Sequence, residues 1–207
     1  MKNPFSRDFK PEENRASQRM ILEPGAYVCG IIGAKADDKQ LTIQLEITEG
    51  PAAGFFRREY ESQDGRFRAP KYKGAYVLRF PDGQNKQADE FREREARGVA
   101  WAVEQSNSGY RWQWETLEKD LKGKAIGISV RERDWAMQGN DGVWRTGTTW
   151  EIGRLEDVNS VREGKVQIMR KRELSQRDKD AMAASGATAT PPAMTDVSSE
   201  TEEELPF

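Results

Sequence analysis

Two kinds of chemistry stand out in the side chains of this 207-residue chain: cations interleaved with aromatic rings, and a run of carboxylates beside apolar residues. The first occurs in Phe55-Phe56-Arg57-Arg58-Glu59-Tyr60, where Arg57, Arg58 and Tyr60 are the candidates. It recurs between residues 66 and 80, in Arg66, Phe67, Arg68, Lys71, Tyr72, Lys73, Tyr76, Arg79 and Phe80. Guanidinium and ammonium groups hold phosphates and aromatic faces stack bases, so this alternation suits a single-stranded nucleic acid. A third set is Gly127, Ser129, Arg131, Arg133 and Trp135, alternate residues of a strand whose other face would be Ile126, Ile128 and Val130. There the small residues would let a polymer backbone approach, the two arginines would hold phosphates and Trp135 would stack a base. Trp144 and Arg145 lie across the next turn and continue that face. Arg111, Trp112 and Trp114 flank a helix end; Trp101, Trp112, Trp114 and Trp150 read as core or core rim.

The second kind is Glu202-Glu203-Glu204-Leu205-Pro206-Phe207. An acidic run leading into Leu-Pro-Phe, with the α-carboxylate of Phe207 as one more fixed anion, suits capture in a basic-rimmed apolar pocket. The competing reading is an acidic tail with no partner.

Other chemistry is excluded by what the chain lacks. It has no histidine and one cysteine, Cys29. Zinc sites of the usual kinds and Ser-His-Asp or Cys-His nucleophile systems therefore cannot form. No disulfide can close within the chain, which fits a reducing cytoplasm. A carboxylate-only Mg²⁺ site stays formally open, with Asp157 and Glu163-Gly164-Lys165 as a faint nuclease-like pattern, but Glu-x-Lys is common. The reading is a non-enzyme that needs no metal and no cofactor.

Charge is unevenly spread. The formal net charge is −2, yet five of the 35 acids follow residue 180, where there is no Lys or Arg. The body keeps 30 acids against 33 bases, a balance of +3, and the tail is −5. A mildly basic body with an acidic tail points toward nucleic acid. No apolar run approaches a membrane span, and Met1 to Phe5 shows no apolar core of a secretion signal. A host bacterial cytoplasm is the expected location, with no membrane partner.

The elements that would position these residues follow from periodicity. Tyr27 to Ala34 reads as a strand, Asp37-Asp38 as a hairpin turn, and Leu41, Ile43, Leu45 and Ile47 alternate strictly with polar residues. Phe55 to Tyr60 reads as a third strand and 61–87 as loop. Ala88 to Gln105 has helical spacing, with Phe91, Val99, Ala102 and Val103 near one face. Ala125 to Trp135 and Val143 to Ile152 read as a hairpin about Gly139-Asn140-Asp141-Gly142. Residues 1–20 read as a flexible arm, 21–174 as one domain, and 175–207 as a disordered linker and acidic tail, whose Ala-rich start can hold a helical turn or two. The fold class is mainly β with α+β character. It is a five-stranded OB-fold-like barrel with a helical insertion between strands three and four.

Two resemblances sharpen this. The acidic run with Leu205-Pro206-Phe207 resembles the C-terminal tip of bacterial single-stranded DNA-binding proteins. The body resembles a family of phage-encoded single-stranded DNA-binding proteins over residues 22–174. That likeness rests on Pro24-Gly25-Ala26-Tyr27, Gln44 to Pro51, Asn107 to Trp112, Leu121 to Lys124 with Gly127, Arg131, Glu132 and Arg133, and Val161 to Lys165. It implies an OB-fold that coats single-stranded DNA without sequence preference in phage replication or recombination. The tip, Glu202 to Phe207, would recruit replication or recombination proteins. A strand-annealing recombination protein and an adaptor acting through its tail alone are the alternatives, with self-association left open.

Overall fold

The computed structural model describes residues 21–63, 71–139 and 142–185. Strands β1 (Gly25–Ala36) and β2 (Gln40–Ile47) form the hairpin that the alternation predicts. Its turn is set by Asp37, whose Oδ1 accepts hydrogen bonds from Lys39 N at 2.8 Å and Gln40 N at 2.9 Å. Leu41, Ile43, Leu45 and Ile47 are all buried in the core, as their spacing requires.

Residues 55–60 are not a strand. They form helix α1 (Phe55–Glu61). Gly50 and Gly54 both take positive φ, 77° and 74°, and reverse the chain after β2. The Glu46 carboxylate of β2 then accepts hydrogen bonds from Phe56 N at 3.0 Å and Arg57 N at 2.8 Å. Those N–H groups have no partner within a helix, so a side chain from the preceding strand caps this one. Phe55, Phe56 and Glu59 are the buried residues, which is one face of a helix.

The third strand, β3 (Ala75–Arg79), lies inside the stretch read from sequence as loop. Tyr76 and Leu78 point inward and Val77 and Arg79 outward. Helix α2 (Lys86–Ser106) follows, capped by Asn85, whose Oδ1 accepts from Ala88 N at 3.0 Å. Val99, Ala102 and Val103 are buried as expected, but Phe91 is 61% exposed. The buried residues all lie in the C-terminal part of α2, and Phe91 stands well ahead of it.

A turn at Trp114–Thr116 and helix α3 (Leu117–Asp120) lead into a long hairpin, β4 (Ala125–Gln138) and β5 (Trp144–Glu156). Both strands outrun the sequence expectation. Gly139 N donates to Val143 O at 2.9 Å, and Gly142 takes φ 75°, as the Gly-rich turn predicts. Helix α4 (Val158–Arg162) is capped by Asp157, and helix α5 (Gln176–Ala184) by Ser175, with Met182 of α5 buried.

The five strands form one antiparallel sheet in the order β3-β2-β1-β4-β5, so the protein is mixed α+β and mostly β. Helix α2 falls between the third and fourth strands, as expected. The sheet is open, however, and not a closed barrel: among the described residues β3 and β5 do not pair. Rings stand between the two edges. Phe56 of α1 packs against Gly74, at the start of β3, and its ring centroid lies 5.5 Å from that of Trp150 on β5. Among the described residues no helix is long and apolar enough to cross a membrane.

Candidate nucleic-acid interface

The open side of the sheet is where α1, the segment before β3 and the middle of β5 converge. Tyr60, Tyr72, Phe56, Trp150 and Phe55 form one continuous row of rings. Consecutive centroids lie 6.0, 6.3, 5.5 and 5.6 Å apart, mostly edge to face. The row is built from the inside out. Phe56 is fully buried and is the platform; Tyr72 and Trp150 are half-buried; Tyr60 is 39% exposed. Tyr72 is fixed by its hydroxyl, which donates to Leu45 O at 2.7 Å and to Glu46 Oε2 at 3.3 Å. Burial, and then the adjacent Glu46 carboxylate, push the Tyr72 phenol far above its ordinary range, so it stays a neutral donor.

Cations surround this row. Lys73 Nζ sits 5.8 Å from the Trp150 ring centroid and 2.6 Å from Glu59 Oε1. Arg58 Nη1 donates to Ala53 O at 2.5 Å, which holds the guanidinium back along α1. Arg57 and Lys71 are exposed and make no ion pair among the described residues. Buried Gln63 clamps the backbone of Lys71 in both directions, at 3.0 and 3.1 Å. Of the fifteen body residues proposed from sequence, Arg57, Arg58, Tyr60, Lys71, Tyr72 and Lys73 thus come together here. Tyr76 does not: its ring is core, and its hydroxyl donates to Glu95 on α2. Arg66, Phe67 and Arg68, and the segment Glu202 to Phe207, lie outside the described residues.

Arg131, Arg133 and Trp135 lie on the opposite face of the sheet. Register decides this: Arg131 pairs with Glu151, and Glu132 with Trp150, so neighbouring residues point to opposite sides. The expectation of an open strip along this face is corrected at its first two positions. A Cβ on Gly127 would fall 2.5 Å from Val161 Cγ2 of α4 and 2.9 Å from Glu156 O, so the small residue admits this chain's own helix. Ser129 is 1% exposed, with Met169 close over neighbouring Gly153. Arg131 is held at 2.7 Å by Glu151, which also draws Arg133 to 3.7 Å and Arg172 to 3.5 Å. Three guanidinium groups on one carboxylate leave net positive charge on this face.

Arg172 arrives here because its backbone pairs with β4 beyond the end of β1: Arg172 N donates to Glu132 O and Asp134 N to Arg172 O, both at 2.8 Å. Further out, the Trp135 ring lies directly over Gly147, where a Cβ would come within 2.8 Å of it. Trp144 is half-buried near the hairpin tip, and Arg145 is exposed opposite Met137.

Trp112 and Trp150 pack half-buried against the core, as the core-rim reading expects, but sequence reasoning did not place Trp150 and Phe56 in the ring row, having put Phe56 on a strand. The available signal for Trp150 was parity, since it shares the inward register of Ile152 and sits opposite Glu132, in line with Ile128 and Val130. It also underrated Trp101 and Trp114, which are 55% and 51% exposed. Asp157, singled out for a metal pattern, accepts from Ser160 N at 2.9 Å as the α4 cap, and Glu163 pairs with Lys165. The Cys29 thiol is fully buried, and burial pushes its pKa up, away from reactivity. The chain matches no protein-family model, and no curated protein is significantly similar to it.

Proposed function

We propose that this protein binds single-stranded DNA without regard to sequence, by stacking bases on the ring row and holding phosphates with the surrounding cations. The observation that carries this is the continuous row Tyr60–Tyr72–Phe56–Trp150, with Arg57, Arg58, Lys71 and Lys73 on the segments that build it and Lys73 over the Trp150 ring. Every base has a π-face, so such a row holds a strand while reading none of its hydrogen-bonding edges. Arg131, Arg133 and Arg172 on the other face offer a second electrostatic contact for the strand or for a neighbouring stretch of it.

The fold supports the same reading. Five antiparallel strands with a helix between the third and fourth are an OB-like arrangement. The two sheet edges also approach each other: Phe56 packs between Gly74, just before β3, and Trp150 of β5, and Lys73 sits over the Trp150 ring. In this proposal the protein acts by holding DNA, with no metal, cofactor or catalytic step. The segment Glu202 to Phe207 recruits replication or recombination proteins, and the phage setting rests on the family resemblance of the body. Titration of labelled oligo-dT from low salt to about 0.2 M should show affinity falling steeply with salt, with tryptophan quenching on binding. No binding at low salt refutes the proposal.

A further inference from the structure

A groove of about 450 Å³ lies away from the ring row, at the far end of β3. Its walls are Phe80 just after the strand, Ala96 and Arg97 of α2, and Trp112 and Trp114 from the segment after that helix. We propose that this groove is a second nucleobase site, in which a base of the same DNA strand packs against Trp114 and Phe80 while Arg79 holds its phosphate. The proposal rests on the single-stranded DNA reading above and extends the path of the strand.

Three observations carry it. The first is the geometry of the rings. Trp114 stands edge to face with both Phe80 and Trp112, at 6.0 and 5.4 Å, so the three form a rigid corner. Yet Trp114 is 51% exposed, and the corner is held while a large aromatic face is left in water. Opposite it α2 presents alanines, Ala96 and Ala100, which leave room for a flat group. The volume lies within the range of small-ligand sites.

The second is charge. Arg79 lines the groove, is exposed and makes no ion pair among the described residues. Arg97 is matched by Glu93 at 2.9 Å, and exposed Glu115 adjoins Trp114. The surroundings thus hold as many carboxylates as guanidiniums, with one guanidinium uncommitted. That suits one phosphate beside an apolar base, and it disfavours an acidic run such as Glu202 to Glu204, which would face two carboxylates.

The third is continuity. Lys73 and Arg79 bracket β3, whose five residues span roughly 17 Å at strand rise. Val77 between them is 42% exposed on the outer side of this edge strand. A strand leaving the ring row along β3 therefore reaches Arg79 and the groove without crossing the molecule.

The test uses the full chain and oligo-dT carrying 5-iodouracil. Trp114→Ala should weaken binding roughly 5- to 150-fold, the loss of one stacked base, and Trp114→Phe should retain most of the affinity. Arg79→Ala should weaken it several-fold and lower the salt slope by about 0.7. Photo-crosslinking followed by peptide mapping should place a crosslink at Trp112 or Trp114. Thermal melting of each variant checks the fold, and Arg79→Ala together with the crosslink decides the matter if Trp114→Ala is unfolded. If the wild type binds oligo-dT and Tyr72→Ala or Lys73→Ala weakens that binding, but Trp114→Ala and Arg79→Ala bind like the wild type, the groove is not a DNA site and the main reading stands. If the wild type binds no DNA, both fall. If a Ser199–Phe207 peptide binds the wild type but not Trp114→Ala, and DNA affinity does not change in that variant, the groove belongs to the acidic segment and the nucleobase assignment is overturned.

Discussion

Two glycine-to-alanine substitutions should move the stability of this protein in opposite directions, and one should carry DNA affinity with it. At Gly74 an added Cβ would lie 2.6 Å from Leu45 O and 2.6 Å from the Phe56 ring, closer than real Cβ atoms come to any neighbour. Neither neighbour can give way cheaply. Leu45 O belongs to the β2 backbone and already accepts from Tyr72, Leu45 N donates to Gly74 O at 2.7 Å, and Phe56 is fully buried. Relief means either opening that hydrogen bond or displacing the ring. Overpacking costs about 1–3 kcal/mol and a lost hydrogen bond about 1 kcal/mol more, so Gly74→Ala should cost about 2–4 kcal/mol. For a domain of this size that is a melting temperature roughly 4–16 °C lower.

At Gly98, in the middle of the 21-residue α2, nothing lies within 4 Å of an added Cβ. There alanine should add about 0.5–1 kcal/mol and raise the melting temperature by about 1–4 °C. Both substitutions restrict the unfolded chain alike, so the gap between them isolates the folded-state clash. Calorimetry or circular dichroism gives the melting temperatures, and oligo-dT titration below the transition gives affinity. Gly74→Ala should also bind DNA more weakly, because Phe56 is the platform of the ring row, while Gly98→Ala should bind as the wild type does. Gly74→Ala melting at or above Gly98→Ala would refute the packing argument. Normal DNA affinity in a clearly destabilised Gly74→Ala would refute the link from Phe56 to the site.

Asp157→Ala should lower stability by about 1 kcal/mol at neutral pH by uncapping α4. Although burial acts to raise the Asp157 pKa, hydrogen bonds from Ser160 and Asn159 bring it below the usual carboxylate range, so its contribution is present above the ordinary aspartate pKa and lost on acidification. The melting-temperature gap to the wild type should therefore shrink below about pH 4, and a gap that widens there would contradict the capping role. Glu151→Gln removes the carboxylate shared by Arg131, Arg133 and Arg172. It should tighten oligo-dT binding several-fold at low salt and steepen the salt dependence, whereas unchanged binding would remove this face from the DNA path. Deleting residues 196–207 takes away five carboxylates and should tighten DNA binding at low salt if the segment competes for the cationic surface. Equal affinities for the two forms would reject that competition and leave recruitment standing.

What was legible in the sequence divides along the range of the forces involved. The β2 strand was readable because Leu41, Ile43, Leu45 and Ile47 alternate with polar residues in a strict period of two, a purely local pattern. The α2 helix and the long hairpin were readable for similar reasons. Residues 55–60 were not, because Phe-Phe-Arg-Arg-Glu-Tyr fits neither period, and the helix is fixed by Glu46, ten positions upstream, reaching its first N–H groups. Strand β3 hid because it has only two inward residues, Tyr76 and Leu78, to announce it. The open sheet was illegible because what stands between its edges, Phe56 against Trp150, is a contact between residues 94 positions apart, which no local pattern announces.

The same division governs the candidate site. Composition can count cations, and alternation can say which side of a strand they leave from. Neither says which cation brings its own carboxylate or which face another segment covers. Arg131 had the parity the sequence assigned, yet Glu151 lies opposite it at 2.7 Å and Met169 lies close over Gly153, beside Ser129. Lys73 is shared between Glu59 and the Trp150 ring. Arg57 and Lys71, from the two segments that frame the ring row, have no such partner among the described residues and are the cations a phosphate meets at least desolvation cost. Arg79 stands apart in the same condition at the other end of β3. Arg57 and Lys71 at one end and Arg79 at the other therefore flank one edge strand, and a polyanion leaving the ring row should follow that edge before it meets the arginine-rich face of β4 and β5.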